Sequence, residues 1–516
     1  VSQGSRGRIA AALSAGPALP LLAGALGLLL YLSTMAPTVL WGDDAELQRI
    51  ITTGEQRTVG QSSAASHLLW LALATPFVRA TGWLPLDAAG RTTLVSALAG
   101  AGALAFVALA GRELGRPWLS RAWVAGLLAA VVLGVSHTFW LLAVRPAVYT
   151  LSMALLALAL WTTLRWRHTG HPAWLVGGAA AAVLALTNHV LALAAGPGLA
   201  VLALSVPPDL RRRLGLAAGA ALALGAAVLA IAALAGAPLG DLARVVGGYR
   251  PSLPPLREVL LAPLYLLYQF PLTWPLGVWG AIALWRADRG ALIGLLLLYA
   301  GNVLLILLHH PPGVSFRDQF LFFLPSYLPV ALLLGVGGAA LLDGILRRRW
   351  GRAAVLALAL APLLLYPLAA RVAGALATRL SPARQLPGRD PVAYYLLPAK
   401  GGYAGARAYG EGAMSVLAPG AAVLADWLPY HTLRYLQGVE GRRPDLLLVN
   451  INAGTGGQLE FLREQAGKRP LYLADRAPAP YYDLEEIGRC FSLQKEGPLY
   501  RLTPKGQVEG GPMCAE

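Results

Sequence analysis

The chain has 516 residues, of which 56% are hydrophobic and only 13% charged, and its mean hydropathy is +0.57; an ordinary soluble globular protein is excluded. Its net charge of +16 does not mark a nucleic-acid-binding surface, because no lysine precedes Lys400 and the arginines before it cluster between apolar runs. That spacing is the positive-inside distribution of a polytopic membrane protein.

Taken in chain order, the first apolar run is Pro17–Met35. No small-residue cleavage site precedes the polar stretch after it, so no cleavable signal peptide is expected. Arg6 and Arg8 place the N-terminus inside. The later clusters Arg112/Arg116/Arg121, Arg165/Arg167, Arg211–Arg213, Arg286/Arg289 and Arg347–Arg349/Arg352 are inside as well. Spans near 14–36, 92–111, 122–139, 147–164, 172–187, 190–206, 214–236, 258–285, 290–308, 320–342 and 353–372 satisfy that requirement. About eleven spans leave the C-terminal region outside. The segment His67–Ala80 is apolar, but counting it would invert everything after it, so it is expected to lie on or dip into the outer leaflet. From about Ala373 the composition changes. Residues 1–372 are expected as the transmembrane domain, 373–391 as a Pro- and Arg-containing linker, and 392–516 as a small extracytoplasmic α/β domain. Its pattern reads strand, helix, strand, helix, strand and a closing hairpin in "CFSLQKEGPLYRL". It has no Gly-rich phosphate loop. Its Cys490 and Cys514 make neither a disulfide framework nor a zinc site, but can pair if that end is outside.

The polar residues of chemical interest collect on the expected outer face. "VLWGDDAELQRI" puts Asp43, Asp44 and Glu46 just past the first span. Acids there cap an interfacial helix. A carboxylate held near hydrocarbon also has its pKa raised by desolvation, which suits a general base. His309, His310, Arg317 and Asp318 lie in "LLHHPPGVSFRDQF" between two spans, where His and Arg can hold a phosphate. Arg145 reads either as a snorkelling arginine or as a second phosphate contact. Asn188 and His189 interrupt an apolar run at its outer turn, as an ordinary turn or as site residues; Tyr149 and His67 are further polar candidates. A base together with anion-binding cations at the outer leaflet suits group transfer from a lipid-linked phosphate donor, whose tail stays in the bilayer.

At this point a family resemblance becomes visible. "APTVLWGDDAEL" (Ala36–Leu47) resembles the "APT…GDSGE" segment of multi-span proteins related to protein O-mannosyltransferases, of the GT-C glycosyltransferase superfamily. "SHTFWLLAVRPAVYTL", "ALTNHVLAL", "FRDQFLFFLPSYL", "YLQGVEGRRPDLLLVN" and "KRPLYLAD" are similar to further segments of that family, in the same order. The resemblance implies an inverting transfer of a sugar, such as mannose, from a polyprenyl-phosphate donor to a hydroxyl acceptor, usually Ser or Thr of an exported protein. It implies that Asp43 is the catalytic carboxylate. Glu46 matches the motif's Glu, and Asp44 stands where the family has Ser. Both are expected to position acceptor or sugar hydroxyls. Arg317, His309, His310 and Arg145 would stabilise the departing phosphate. A metal held through Asp43, Asp44 and a histidine is an alternative, but the resemblance implies no metal cofactor. There are departures. The family's His-Pro-Pro-Gly segment corresponds here to "QSSAASHLL", so the histidine is missing or displaced to His67, and the Glu of the "EVY" segment is Ala147.

Two other function classes stay open. A transporter or flippase for a lipid-linked substrate would need charges inside spans and repeated halves with broken helices; no repeat is evident and the apolar runs are nearly free of charge. A catalytically degenerate scaffold would use the outer domain to bind a partner.

Overall fold

Long apolar runs fold as helices because a helix satisfies its own backbone where water is absent. The computed structural model describes residues 16–55, 67–206, 214–234, 253–308, 316–346, 348–380, 386–451, 457–478 and 481–505. The chain divides into two units. One gathers Val1–Thr34, Ser62–Leu73 and Leu94–Leu368; the other gathers Met35–Gln61, Ala74–Thr93 and Ala369–Glu516.

The first unit is helical. Among the described residues, four helices are long and apolar enough to cross a bilayer: Ala88–Gly115, Leu214–Ile231, Arg289–Leu308 and Phe320–Asp343. Three pairs reach that length only together, Ala122–Gly134 with His137–Ala143, Leu256–Gln269 with Trp274–Ala287, and Arg349–Leu360 with Pro362–Leu376, bent by 72°, 97° and 42°. Shorter apolar helices cover Ala18–Thr34, Leu68–Ala80, Pro172–Asn188 and Val190–Leu204. Length and composition therefore support four spans, or seven with each bent pair counted once, against the eleven expected from hydropathy. Hydropathy sums apolar character along a run and does not see where the backbone turns. The runs 122–139, 258–285 and 353–372 read as unbroken, yet each contains a sharp break.

The breaks satisfy one another's backbone groups. The His137 N–H donates to Tyr366 Oη (3.0 Å), and that hydroxyl lies 3.0 Å from the carbonyl oxygens of both Tyr268 and Gln269. The Thr138 N–H donates to Gln269 Oε1 at 2.7 Å. One residue from each bent pair thus meets the others, as a bend away from water requires. Elsewhere small residues bring helices together. A Cβ on Gly337 would stand 1.9 Å from the Leu276 carbonyl oxygen, and one on Gly280 2.0 Å from that of Leu333, so Trp274–Ala287 and Leu324–Asp343 touch backbone to backbone. Arginines pair with acids at helix ends. Arg167 forks onto both oxygens of Asp288 at 2.9 Å, Arg121 meets Asp343 at 3.2 Å, and buried Glu113 takes Arg165 at 3.2 Å and His168 at 3.1 Å.

The second unit is built on a five-stranded sheet of order β2-β1-β3-β5-β4, with β1 Ala422–Ala425, β2 Leu447–Asn450, β3 Leu471–Leu473, β4 Phe491–Glu496 and β5 Leu499–Pro504. β1 pairs in parallel with β2 and β3, while β5 is antiparallel to β3 and β4. The helices Trp427–Glu440 and Gln458–Gln465 make the crossovers that parallel pairing needs. Period-two alternation sorts the core. Ala422, Leu424, Leu471 and Leu473 pack on one face with Leu459, Leu462, Ile487 and Phe491. Val423, Ala425 and Tyr472 pack on the other with Leu433, Leu436 and Tyr409. Val39, Trp41 and Ala45 join that second core, so the polar loop after the first apolar helix is part of the sheet unit. Cys490 is disulfide-bonded; Cys514 lies outside the described residues.

Gly42 starts the loop's helix with φ 56° and ψ −128°, a conformation open to glycine alone. A Cβ there would also meet Leu428 Cδ2 at 2.9 Å and Trp427 Cδ1 at 3.1 Å. Gly42→Ala is expected to destabilise this unit by about 2 kcal/mol, read as a lowered thermal midpoint in detergent.

Candidate functional site

The loop helix Asp43–Thr53 begins with all three acids in its first turn, where the helix dipole favours negative charge. Its surroundings separate them. Asp43 is exposed, whereas Asp44 is 2% and Glu46 3% exposed. The loop is held rigidly on either side of them. The Leu40 N–H donates to Gln48 Oε1 (3.2 Å), Thr432 Oγ1 donates to the Leu40 carbonyl (3.0 Å), and the Gly42 N–H donates to the Leu428 carbonyl (3.3 Å). Trp41 Nε1 donates to Tyr403 Oη at 2.6 Å. Arg407 donates through Nε to Thr38 Oγ1 at 2.5 Å and through Nη2 to Asp87 at 3.1 Å and Glu440 at 2.5 Å. Arg49 pairs with Glu55, just beyond the end of the helix.

Two side chains of the helix Trp427–Glu440 face the acids. Trp427 Nε1 donates to Asp43 Oδ1 at 2.5 Å. His431, one turn further on, packs edge-on against Trp427 with ring centroids 4.1 Å apart, and its Nε2 lies 4.0 Å from Glu46 Oε2. Burial drives both members of this last pair neutral. The Glu46 carboxyl is raised to about 8, first by burial and then by the Asp43 charge, against a smaller opposing pull from Arg49. His431 is lowered to about 3, first by burial and then by the Arg49 and Arg434 charges. A protonated carboxyl therefore sits beside an uncharged imidazole behind the exposed Asp43.

A second group of candidates meets in the helical unit. His67 Nδ1 lies 3.0 Å from the Asn188 carbonyl oxygen, and its ring stacks on His189 at 5.1 Å. Tyr149 lies on His189 at 5.0 Å. Asn188 Nδ2 donates to the Val148 carbonyl (2.8 Å) and to Ser152 Oγ (2.6 Å), and the Leu191 N–H donates to His189 Nδ1 at 3.1 Å. His67 thus meets the Asn188-His189 segment. Arg145 lies between His137–Ala143 and Tyr149–Thr169, half-buried. Arg317 and Asp318 belong to the 3-10 helix Phe316–Phe323. His309 and His310 lie outside the described residues.

Trp427 and His431 were not singled out by sequence reasoning. The available signal was the segment "DWLPYHTLRY" directly after a strand, with Trp427 and His431 four residues apart on one helical face. A helix opening at the carboxyl end of a parallel strand is a recurrent place for a site. What hid the pair is that their partners lie nearly 400 residues earlier.

Residues 63–210 match the family described as the N-terminal domain of protein O-mannosyl-transferase TMEM260. No curated protein matches the chain in sequence. Among solved structures, ArnT from Cupriavidus metallidurans bound to undecaprenyl phosphate is similar over 95% of this chain and 99% of its own, at 14% identity and a TM-score of 0.57. The apo state of ArnT from Cupriavidus metallidurans matches over 93% and 97%, at 15% identity and a TM-score of 0.55. The apo oligosaccharyltransferase of Archaeoglobus fulgidus matches over 88% of this chain and 69% of its own, at 13% identity and a TM-score of 0.51. The likeness is one of fold: the chain is a mostly helical membrane protein with a small C-terminal sheet domain, and it shares the fold of ArnT and of the archaeal oligosaccharyltransferase.

Proposed function

We propose that the chain is a membrane glycosyltransferase that moves a sugar from a polyprenyl-phosphate donor to a hydroxyl acceptor with inversion. The acceptor class is Ser or Thr of an exported protein, and the sugar a hexose such as mannose. The observation that carries the reading is the state of the three acids after the first apolar helix: Asp43 alone is exposed, and it is held by an indole N–H. ArnT, which shares the fold along nearly its whole length, is found bound to undecaprenyl phosphate, in keeping with a polyprenyl-phosphate donor here.

In this reaction the acceptor oxygen attacks the anomeric carbon from the face opposite the phosphate. The bond between that carbon and the phosphate oxygen breaks, and the electron pair leaves with the lipid phosphate. The acceptor proton goes to Asp43. Arg317, Arg145, His309 and His310 are assigned to the departing phosphate, and the cluster of His67, Asn188, His189 and Tyr149 to the same outer face. Asp44 and Glu46, both buried, act on the site through the helix that carries Asp43. The sheet unit and Asp43 are extracytoplasmic on this reading, with the N-terminus inside. The test is incubation of the purified protein with polyprenyl-phosphate sugars and acceptor peptides. Glycosylated product supports the reading, and no product with any donor overturns it. The reaction assigns no step to a metal, so transfer is expected to persist within about twofold in EDTA; an EDTA-sensitive rate restored by a divalent cation would contradict this.

The three bent helix pairs favour one second reading, a transporter of lipid-linked substrates, since such proteins build their paths from broken helices. A transporter would move labelled donor across a vesicle membrane without forming product, and Asp43→Asn would leave that movement intact.

A further inference from the structure

A general base must be held as well as exposed, because an aspartate whose rotamer wanders presents its lone pair to the acceptor only part of the time. Asp43 lies in the first turn of its helix with its side chain in solvent, so its own helix does not fix it. The fixing contact comes from the sheet unit. Trp427 Nε1 reaches Asp43 Oδ1 at 2.5 Å. Trp427 is itself fixed: the His431 ring packs edge-on against it at 4.1 Å, and Gly42 lies against its other flank, where a Cβ would come within 3.1 Å of Trp427 Cδ1. The Gly42 N–H to Leu428 carbonyl bond ties the two helix starts together. Every one of these residues belongs to the same unit.

We infer that Trp427 is the positioning residue of the reaction: its indole N–H engages Oδ1 of Asp43 and so turns Oδ2 toward the acceptor hydroxyl. The inference rests on the reading of Asp43 as base. Two consequences follow from the chemistry of one N–H. Removing it lowers turnover without loosening substrate binding, and another N–H placed at the same atom restores it. A merely structural tryptophan would do neither.

Trp427→Phe keeps the ring and removes the donor, while Trp427→Gln replaces the ring with an amide N–H at the same number of bonds from the backbone. For Trp427→Phe we expect kcat to fall about tenfold with KM within about twofold. Trp427→Gln is expected to return kcat toward the wild-type value. Wild-type kcat in Trp427→Phe, with Asp43→Asn inactive, would overturn the inference and leave the base intact. An active Asp43→Asn would overturn the base itself. A readout independent of turnover covers the remaining case. The chain has 14 tryptophans, so the emission of Trp427 is taken as wild type minus Trp427→Phe. A difference spectrum that shifts in the Asp43→Ala background supports the contact, and one that is the same in both backgrounds overturns it.

Discussion

Asp43→Asn is expected to abolish transfer, with a loss of about 10²–10⁴-fold in kcat, the range a positioned general base supplies. Asparagine preserves the shape and can still accept the Trp427 indole N–H, but it has no basic oxygen for the acceptor proton. Binding of the lipid donor should change little, so the loss appears in kcat and not in KM. The neighbouring acid gives the contrast. Asp44 is 2% exposed, out of reach of the acceptor, so Asp44→Ser is expected to retain transfer within about threefold. Steady-state rates of the two variants beside wild type decide the matter. An inactive Asp44→Ser with an unchanged melting curve would refute this division between the exposed and the buried acid.

Glu46→Gln is expected to flatten the decline of stability between about pH 6.5 and pH 8. The carboxyl is held protonated up to about 8 by burial and by the Asp43 charge, while in the unfolded chain it ionises near 4.5. Its stabilisation is therefore complete below pH 4.5 and is lost as pH rises to about 8. His431 works in the opposite direction. It stays neutral down to about 3 in the folded chain and protonates near 6.5 when unfolded, so its contribution is present above 6.5 and lost as pH falls toward 3. The two slopes oppose each other from 4.5 to 6.5. Above 6.5 the Glu46 slope stands alone, at about 1.4 kcal/mol per pH unit before solvent screening. Denaturation midpoints of wild type and Glu46→Gln across pH 6–9 measure it. A wild-type midpoint that falls no faster than that of the variant would show that Glu46 ionises normally. Because Glu46 lies one turn from Asp43, the same titration bears on how the site behaves in alkaline conditions.

Much of the small unit was legible in advance. The short apolar runs Ala422–Ala425, Leu447–Asn450 and Leu471–Leu473, and the turn between Glu496 and Leu499, mark strands and a hairpin by local chemistry alone. The helical unit was legible as helix, less so as spans. Hydropathy identifies apolar runs, and the breaks before His137, between Gln269 and Trp274, and at Ala361 depend on partners brought from elsewhere. The Tyr366 hydroxyl that meets the freed His137 N–H is 229 positions away.

The sequence by itself determined that this is a membrane protein with a terminal sheet domain, and that acids follow its first apolar helix, because hydropathy and alternation are local sums over neighbouring residues. Only the tertiary structure decided which acid is exposed and what holds it. Asp43, Asp44 and Glu46 are chemically alike within four positions, and they differ only in what packs over them. Trp427 meets Asp43 and His431 faces Glu46, from 384 and 385 residues downstream. Burial and a single indole N–H are properties of that long-range contact, and no window of sequence contains both sides of it.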